Sequence, residues 1–442
     1  MNGKIDSPDT GTATPAIHRG AEPVIIEHVR LLDPHAQIDV VADVSVERGA
    51  AQVLEPGAEA AGVRRIDGED LWLMPGVVDL CARLQERGQT DQSSFTRETS
   101  AALARGITVL CLPSDTRPCI DDPSMVTRVQ DISAAAGGAQ VLPLGALTQG
   151  LEGSALAEMD ALKRAGCVGV SNAGRPLADA RTARRALEYA AGLGLTVHVQ
   201  PQDASLAAGG CAHDGAVACR LGLPPIPVAA ETVALAQWLA LVEDTGARVH
   251  FGRLSSAQGV RLVAAAKARR LPVTADVAAH QLFLCDEDIE GFDAQCHVIP
   301  PLRDRADRTA LRAALAEGTL DALCSDHQPR EPDAKTNPFP MTQPGISALD
   351  TLLALGLRLV AEGVLTPLQL AQRLSAAPAA VLGGSRRSDA AAGWILIDPA
   401  ASWRLTPDSM LSEAHNTPFL DQPFRGLTRR VFLPPADHKC AG

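Results

Sequence analysis

The chain has 442 residues, 46% of them hydrophobic and 21% charged, with a formal net charge of −12 from 40 Lys and Arg against 52 Asp and Glu. Such proportions belong to a folded globular chain and exclude disordered, collagen-like and fibrous classes. The length corresponds to about three domains at roughly 150 residues each, or to one α/β barrel with additions, and the acidic balance argues against nucleic-acid and anionic-membrane partners, which need a basic patch.

The first 22 residues are polar and rich in turn formers, without the apolar core of a secretion signal, and are expected as a flexible tail. Ten cysteines lie singly, with no C-x-x-C pair, which predicts free thiols in a cytoplasmic chain. No stretch reaches the 18 or so uninterrupted apolar residues of a membrane span.

From Val24 the chain reads as short strands: VIIEHVRLLDP, DVVADVSVERG, AQVLEP and RRIDGEDLWLMP. Alternating or β-branched apolar residues broken by Gly, Pro and Asp are the strand and turn signal. The same style returns in AGWILIDPAASWRL and RRVFLPP. The two β-rich ends are expected to pair into one small β-sandwich domain, residues 23–74 plus 386–442.

Residues 75–385 change character. Apolar runs appear at VVDLCAR, ITVLCLPS, VLPLGAL, CVGVSN, LTVHVQ, RVHFG, LPVTADV and LDALCSD. Most are separated by segments with apolar residues three and four apart, such as ARTARRALEYAAGLG and AQGVRLVAAAKARRL. Eight buried strands with helical crossovers predict a (β/α)8 barrel of class α/β.

The active sites of such barrels sit at the C-terminal ends of the strands. Strand one ends at Asp79–Gln85, strand four at Ser171-Asn172-Ala173-Gly174, strand five at Gln200, strand six at Arg253 and strand eight at Ser325-Asp326-His327.

The phrases MPGVVDL, the TRP of DTRPCIDDP, IPPLRDRADRTAL, SDHQPRE, GISALDTLLALGL and NTPFLDQPFRG carry a resemblance. From about Val24 to Leu433 the chain resembles the dihydroorotases of the amidohydrolase superfamily, hydrolases that interconvert carbamoyl aspartate and dihydroorotate with one or two zinc ions. The resemblance implies a barrel with a composite β domain. It also implies metal ligands at the strand ends, and there the sequence departs from the pattern. The His-x-His pair of strand one falls on Cys81 and Arg83, and the strand-four ligand on Asn172 or Ala173. The histidines of strands five and six fall on Gln200 and Arg253, and only the strand-eight aspartate is kept, as Asp326. A guanidinium stays protonated and has no lone pair to donate. The substrate positions depart as well: Gln85 replaces a carboxylate-binding arginine, Ile299 an asparagine, and Ser114-Asp115 stands where an asparagine precedes TRP.

These departures point to a chain with no active catalytic residue and no bound metal, Asp326 keeping only a vestigial base position. Asp326 is expected to pair with Arg83 or Arg253. Among family types, the chain is most similar to the inactive dihydroorotase-like subunits that some bacteria pair with the catalytic subunit of aspartate transcarbamoylase in pyrimidine biosynthesis, which implies that partner and a homo- and hetero-oligomer. Two alternatives stay open. One is an active or weakly active zinc dihydroorotase with a site relocated to His198, Cys81 and Asp326. The other is a metabolite sensor in which Arg83 and Arg253 grip an anion. Cys81 beside Arg83 is a weaker candidate nucleophile. His198, His280 and His327 are expected as structural or vestigial histidines, with His198 hydrogen-bonded. His250, out of phase with Arg253, is expected to face the outer helices.

Overall fold

The computed structural model describes residues 14–55, 62–84, 92–383 and 392–435. Eight short parallel strands form the barrel: β1 (Val77–Asp79), β2 (Ile107–Leu112), β3 (Gln140–Ala146), β4 (Gly169–Ser171), β5 (Val197–Val199), β6 (Val249–Phe251), β7 (Val273–Ala278) and β8 (Ala322–Cys324). Each pairs with the next in chain order. Their residues are almost all buried because helices cover one side of the sheet and the barrel interior fills the other. The ring closes through a bridge between Ala82 and His327, with the Arg83 N–H donating to the His327 carbonyl at 3.0 Å. Asp79 on β1 reinforces that seam by accepting the backbone N–H of Ser325 at 2.9 Å and the Ser325 hydroxyl.

The expected amphipathic segments are helices on the outside. In Ala180–Leu193, Asp179 caps the start by accepting the Thr182 N–H, and Gly194 ends it at a φ of 67°. Ala183, Ala186, Leu187 and Ala190 form its buried stripe, three and four residues apart. The helix-facing residues Val197, Val249, Phe251 and Val273 join the large core between strands and helices.

Both ends of the chain build the second domain, as expected. Ala16–His18, Val24–Asp33, Ile38–Glu47, Ala50–Val53, Arg64–Asp67, Trp72–Pro75, Trp394–Arg404 and Pro423–Phe432 form one mixed sheet. Trp72–Pro75 runs antiparallel to Trp394–Arg404, with Leu73 opposite Leu396. Val24, Ile26, Val44, Leu73, Trp394 and Phe432 share a small core of their own. The segment expected as a tail departs from that expectation in part. Residues 1–13 lie outside the described residues, but Ala16–His18 is a strand parallel to Arg430–Phe432, where AIH meets a partner edge far away in sequence. Residues 384–391, across the expected boundary at 385–386, are also outside the described residues. The chain crosses between the two domains at Gly76, whose N–H donates to the Gly393 carbonyl at 3.0 Å. A Cβ there would lie 2.2 Å from the Ala392 carbonyl oxygen and the Thr108 hydroxyl, so only glycine fits the crossing.

Candidate functional site

Beyond β1, β4, β5, β6 and β8 the backbone leaves the sheet and turns its side chains toward the barrel mouth. Ala173, Arg253 and Asp326, all at these exits, have φ values of 50°, 61° and 49°. Non-glycine residues in the left-handed region carry local strain, which persists only where surrounding contacts fix it. At Arg253 the fixing contact is visible: its backbone N–H donates to Asp276 Oδ1 at 2.5 Å.

The side chain of Arg253 returns across the barrel mouth. Nη1 lies 2.7 Å from Cys81 Sγ, Nη2 donates to Gln200 Oε1 at 2.6 Å, and Nε stands 3.5 Å from Asp326 Oδ1. Arg83 enters from the other side. Its Nε meets both oxygens of Asp115 at 3.0 and 3.2 Å, and its Nη1 lies 3.8 Å from Asp326 Oδ1. Asp326 Oδ1 also receives the Gln328 amide at 3.1 Å and the Cys81 thiol at 3.6 Å. Both arginines are more than nine-tenths buried, as are Cys81 and Asp326. Two guanidinium groups thus face two carboxylates in a largely buried space, an arrangement tolerable only because the charges are matched.

Burial works against the charge on Arg83, but Asp115 leads the groups that raise its pKa above the ordinary value. Arg253 is likewise raised against the effect of burial, the carboxylates of Asp326 and Asp276 favouring its charged form. The Cys81 thiol is pushed up to about 12, burial outweighing the pull of Arg253, so it stays protonated at neutral pH. A protonated, enclosed thiol is a poor nucleophile.

The other expected positions are tied up locally. Asn172 accepts the Thr148 hydroxyl at 2.7 Å and donates to the Arg175 carbonyl at 3.2 Å. Gln200 donates its amide to the Ile299 carbonyl at 3.2 Å, which joins a ligand position to a substrate position. Ser114 donates to the Ser171 carbonyl at 2.9 Å. Gln85 lies outside the described residues.

The relocated triad does not assemble. Among the described residues, the only group of three His, Cys, Asp or Glu with ligating atoms within 4.8 Å of one another is His213, Asp304 and Asp307. The His213 ring nitrogen Nδ1 already faces Arg303 Nη1 at 3.1 Å. His198 is buried against the His250 ring, 5.3 Å between centroids, and its Nε2 has no hydrogen-bond partner among the described residues, contrary to the expected hydrogen bond. Burial, reinforced by His250, lowers its pKa to about 3, so the ring is neutral. His280 is held neutral in the same way, at about 4, chiefly by burial. His327 takes the Ala348 N–H on Nδ1 at 3.0 Å and faces Glu98 Oε2 at 3.3 Å, a structural role.

His250 corrects an expectation. It does not face the outer helices: its ring bonds Asp276 Oδ2 and Thr274 Oγ1, both at 2.9 Å. The left-handed turn at Arg253 breaks the two-residue alternation, so phase counted back from Arg253 gives the wrong face. Asp276, which anchors Arg253, was not singled out in the sequence, and Asp115 was named only as part of a substrate-position departure, not as the partner of Arg83. The signal for Asp115 was present, since an extra acid appears in the same chain that places an arginine at position 83.

An eight-stranded parallel barrel clasped by a mixed sheet from both chain ends is the architecture of the hydantoinases. The structure of L-hydantoinase (dihydropyrimidinase) from Arthrobacter aurescens matches with a TM-score of 0.80 and 21% identity, over 92% of this chain and 93% of that one. In sequence, a family profile described as Dihydro-orotase-like matches residues 71–258. A "Dihydroorotase-like protein" of Pseudomonas aeruginosa is 45% identical over 416 residues, 93% of this chain and 98% of that protein. A "Dihydroorotase" of Geobacter metallireducens is 38% identical over 408 residues, 91% and 96% of the two chains. The chain belongs to the dihydroorotase-like family. Among the described residues no helix is long and apolar enough to cross a membrane.

Proposed function

We propose that this chain is a non-catalytic member of its family, a structural subunit that supports the assembly and activity of aspartate transcarbamoylase in pyrimidine biosynthesis. One observation carries the non-catalytic part. The space where the family resemblance places zinc ligands is filled by Arg253, which bonds the residues at three of those positions: Cys81, Gln200 and Asp326. The residues present do not fit a zinc ion. A zinc site needs three or four donors with free lone pairs, whereas Arg83 and Arg253 offer none.

The scaffold role rests on the family resemblance and on a fold kept whole around this altered centre. The sensor alternative is disfavoured because Arg83 is already paired with Asp115, and Arg253 with Gln200 and Asp326, so an anion would have to displace carboxylates from a closed site.

The test uses one pure sample of the full chain. Metal content and dihydroorotase turnover are assayed in both directions with zinc added, and the chain is then mixed with the aspartate transcarbamoylase catalytic subunit and followed by light scattering and carbamoyl-transfer rate. The expected result is no metal, no turnover, and a larger complex with raised transferase activity. Turnover with about one bound zinc or more per chain would overturn the proposal, and an unchanged transferase would remove its scaffold half.

A further inference from the structure

The guanidinium of Arg253 has three nitrogens, and each meets a residue from a different strand end. Nη1 meets Cys81 beyond β1, Nη2 meets Gln200 beyond β5, and Nε meets Asp326 beyond β8. The arginine itself comes from beyond β6. One cation therefore joins four of the eight strand ends across the barrel mouth, two of them through residues next to Ala82 and His327, where the ring closes. The aim of this side chain depends on a left-handed backbone at Arg253, pinned by Asp276, which in turn takes the His250 ring. The unfavourable backbone conformation kept at Arg253 accompanies the inward aim of its guanidinium.

We infer that Arg253 is a built-in replacement for a bound cation: its guanidinium, in place of a metal ion, ties the strand ends of the barrel together and makes the fold independent of metal supply. This deepens the non-catalytic reading and rests on it. A guanidinium suits the task because it is planar, permanently charged and offers donors in several directions at once. A lysine ammonium is a compact point charge and cannot reach three separated partners with the same geometry. Arg83 does not duplicate the role, since its Nε is committed to Asp115 and its contact to Asp326 is 3.8 Å.

The test compares the melting temperature of the full-length chain with that of its Arg253→Ala, Arg253→Met and Arg253→Lys variants. Each is measured with EDTA, with cobalt(II) and with millimolar methylguanidinium. For the wild type, no additive is expected to move the midpoint. Arg253→Ala is expected to melt roughly 3–8 °C lower, as removal of one member of a buried charged set implies, and to regain part of that loss with methylguanidinium. Arg253→Met restores bulk without charge and should stay below wild type. If Arg253→Ala does not fold, Arg253→Lys decides, with a midpoint between those of Arg253→Met and wild type expected. Arg253→Met or Arg253→Lys as stable as wild type, or an Arg253→Ala protein indifferent to methylguanidinium, would overturn the inference while leaving the non-catalytic reading intact. Dihydroorotase turnover with bound zinc in the wild type would instead sink that reading and this one together.

Discussion

Asp276 holds Arg253 by its backbone and not by its side chain: Oδ1 accepts the Arg253 N–H at 2.5 Å while Oδ2 takes the His250 ring at 2.9 Å. Burial would raise the pKa of this carboxyl, but its bonds to His250 and the nearby Arg253 outweigh that and lower it. Asp276 is thus a charged anchor beneath the site. Replacing it with alanine orphans a buried N–H and a ring nitrogen at once, and frees a strained backbone. We expect Asp276→Ala to lose about 3–5 kcal/mol of stability in urea titrations. A loss under about 1 kcal/mol would show that the left-handed turn needs no such anchor.

Arg83 and Asp115 form a pair whose members are each buried, side-chain exposures being 10% and 4%. Removing only the acid leaves the Arg83 guanidinium with just its longer contact to Asp326, whereas removing both adds no net charge to the buried site. Asp115→Ala should therefore destabilise by about 2–4 kcal/mol, and the double variant Arg83→Met/Asp115→Ala by clearly less. Simple additivity of the two single losses in a double-mutant cycle would contradict this.

Acid sensitivity follows from the buried histidines. His198 and His280 have pKa values lowered by burial to about 3 and about 4, against about 6.5 in an unfolded chain. Between those limits the unfolded state binds protons that the folded state refuses, so stability is full above about pH 6.5 and declines as pH falls toward 4. Asp79 acts in the opposite sense. Burial raises it to about 6, so it stays protonated in the folded state above its ordinary range, and its contribution falls as pH rises through 6. His213 and His297, also lowered chiefly by burial, add to the two histidines, and the net effect is a loss on acidification. The melting temperature of His280→Gln should fall less between pH 7 and pH 5 than that of wild type; parallel curves would remove His280 from the account.

Cysteine chemistry separates surface from site. Cys219 is exposed, whereas Cys81 is buried with its thiol pushed up to about 12. Native protein treated with iodoacetamide at pH 8 should carry the label on Cys219 and none on Cys81 by peptide mass spectrometry. Modification of Cys81 before unfolding would mean that the barrel mouth is open to solvent.

The barrel was legible because its strands are covered on both sides, which writes them as plain apolar runs such as ITVLCLPS and LPVTADV. The pairing of the chain ends was legible from their common strand style. What could not be read was set by nonlocal geometry. Ala16–His18 is a strand only because the edge of Pro423–Phe432 is open beside it. The orientation of His250 depends on a backbone turn at Arg253 that no side-chain pattern records. At the site, the sequence showed which ligand types were missing. That Asp115 answers Arg83, and that Gln200 joins Arg253 to Ile299, emerges only once loops from different strands meet.

The sheet made from both ends has a consequence for how the molecule comes into being. Trp72–Pro75 finds its antiparallel neighbour more than three hundred residues later, in Trp394–Arg404. A nascent chain on the ribosome therefore carries Val24–Asp33 and Trp72–Pro75 through synthesis of the whole barrel with one sheet edge unmatched. Pairings this distant form late and leave apolar edges open to other chains in the meantime. The clasp that completes the fold waits for the C-terminal strands, and the last strands to be made are the ones that end the exposure.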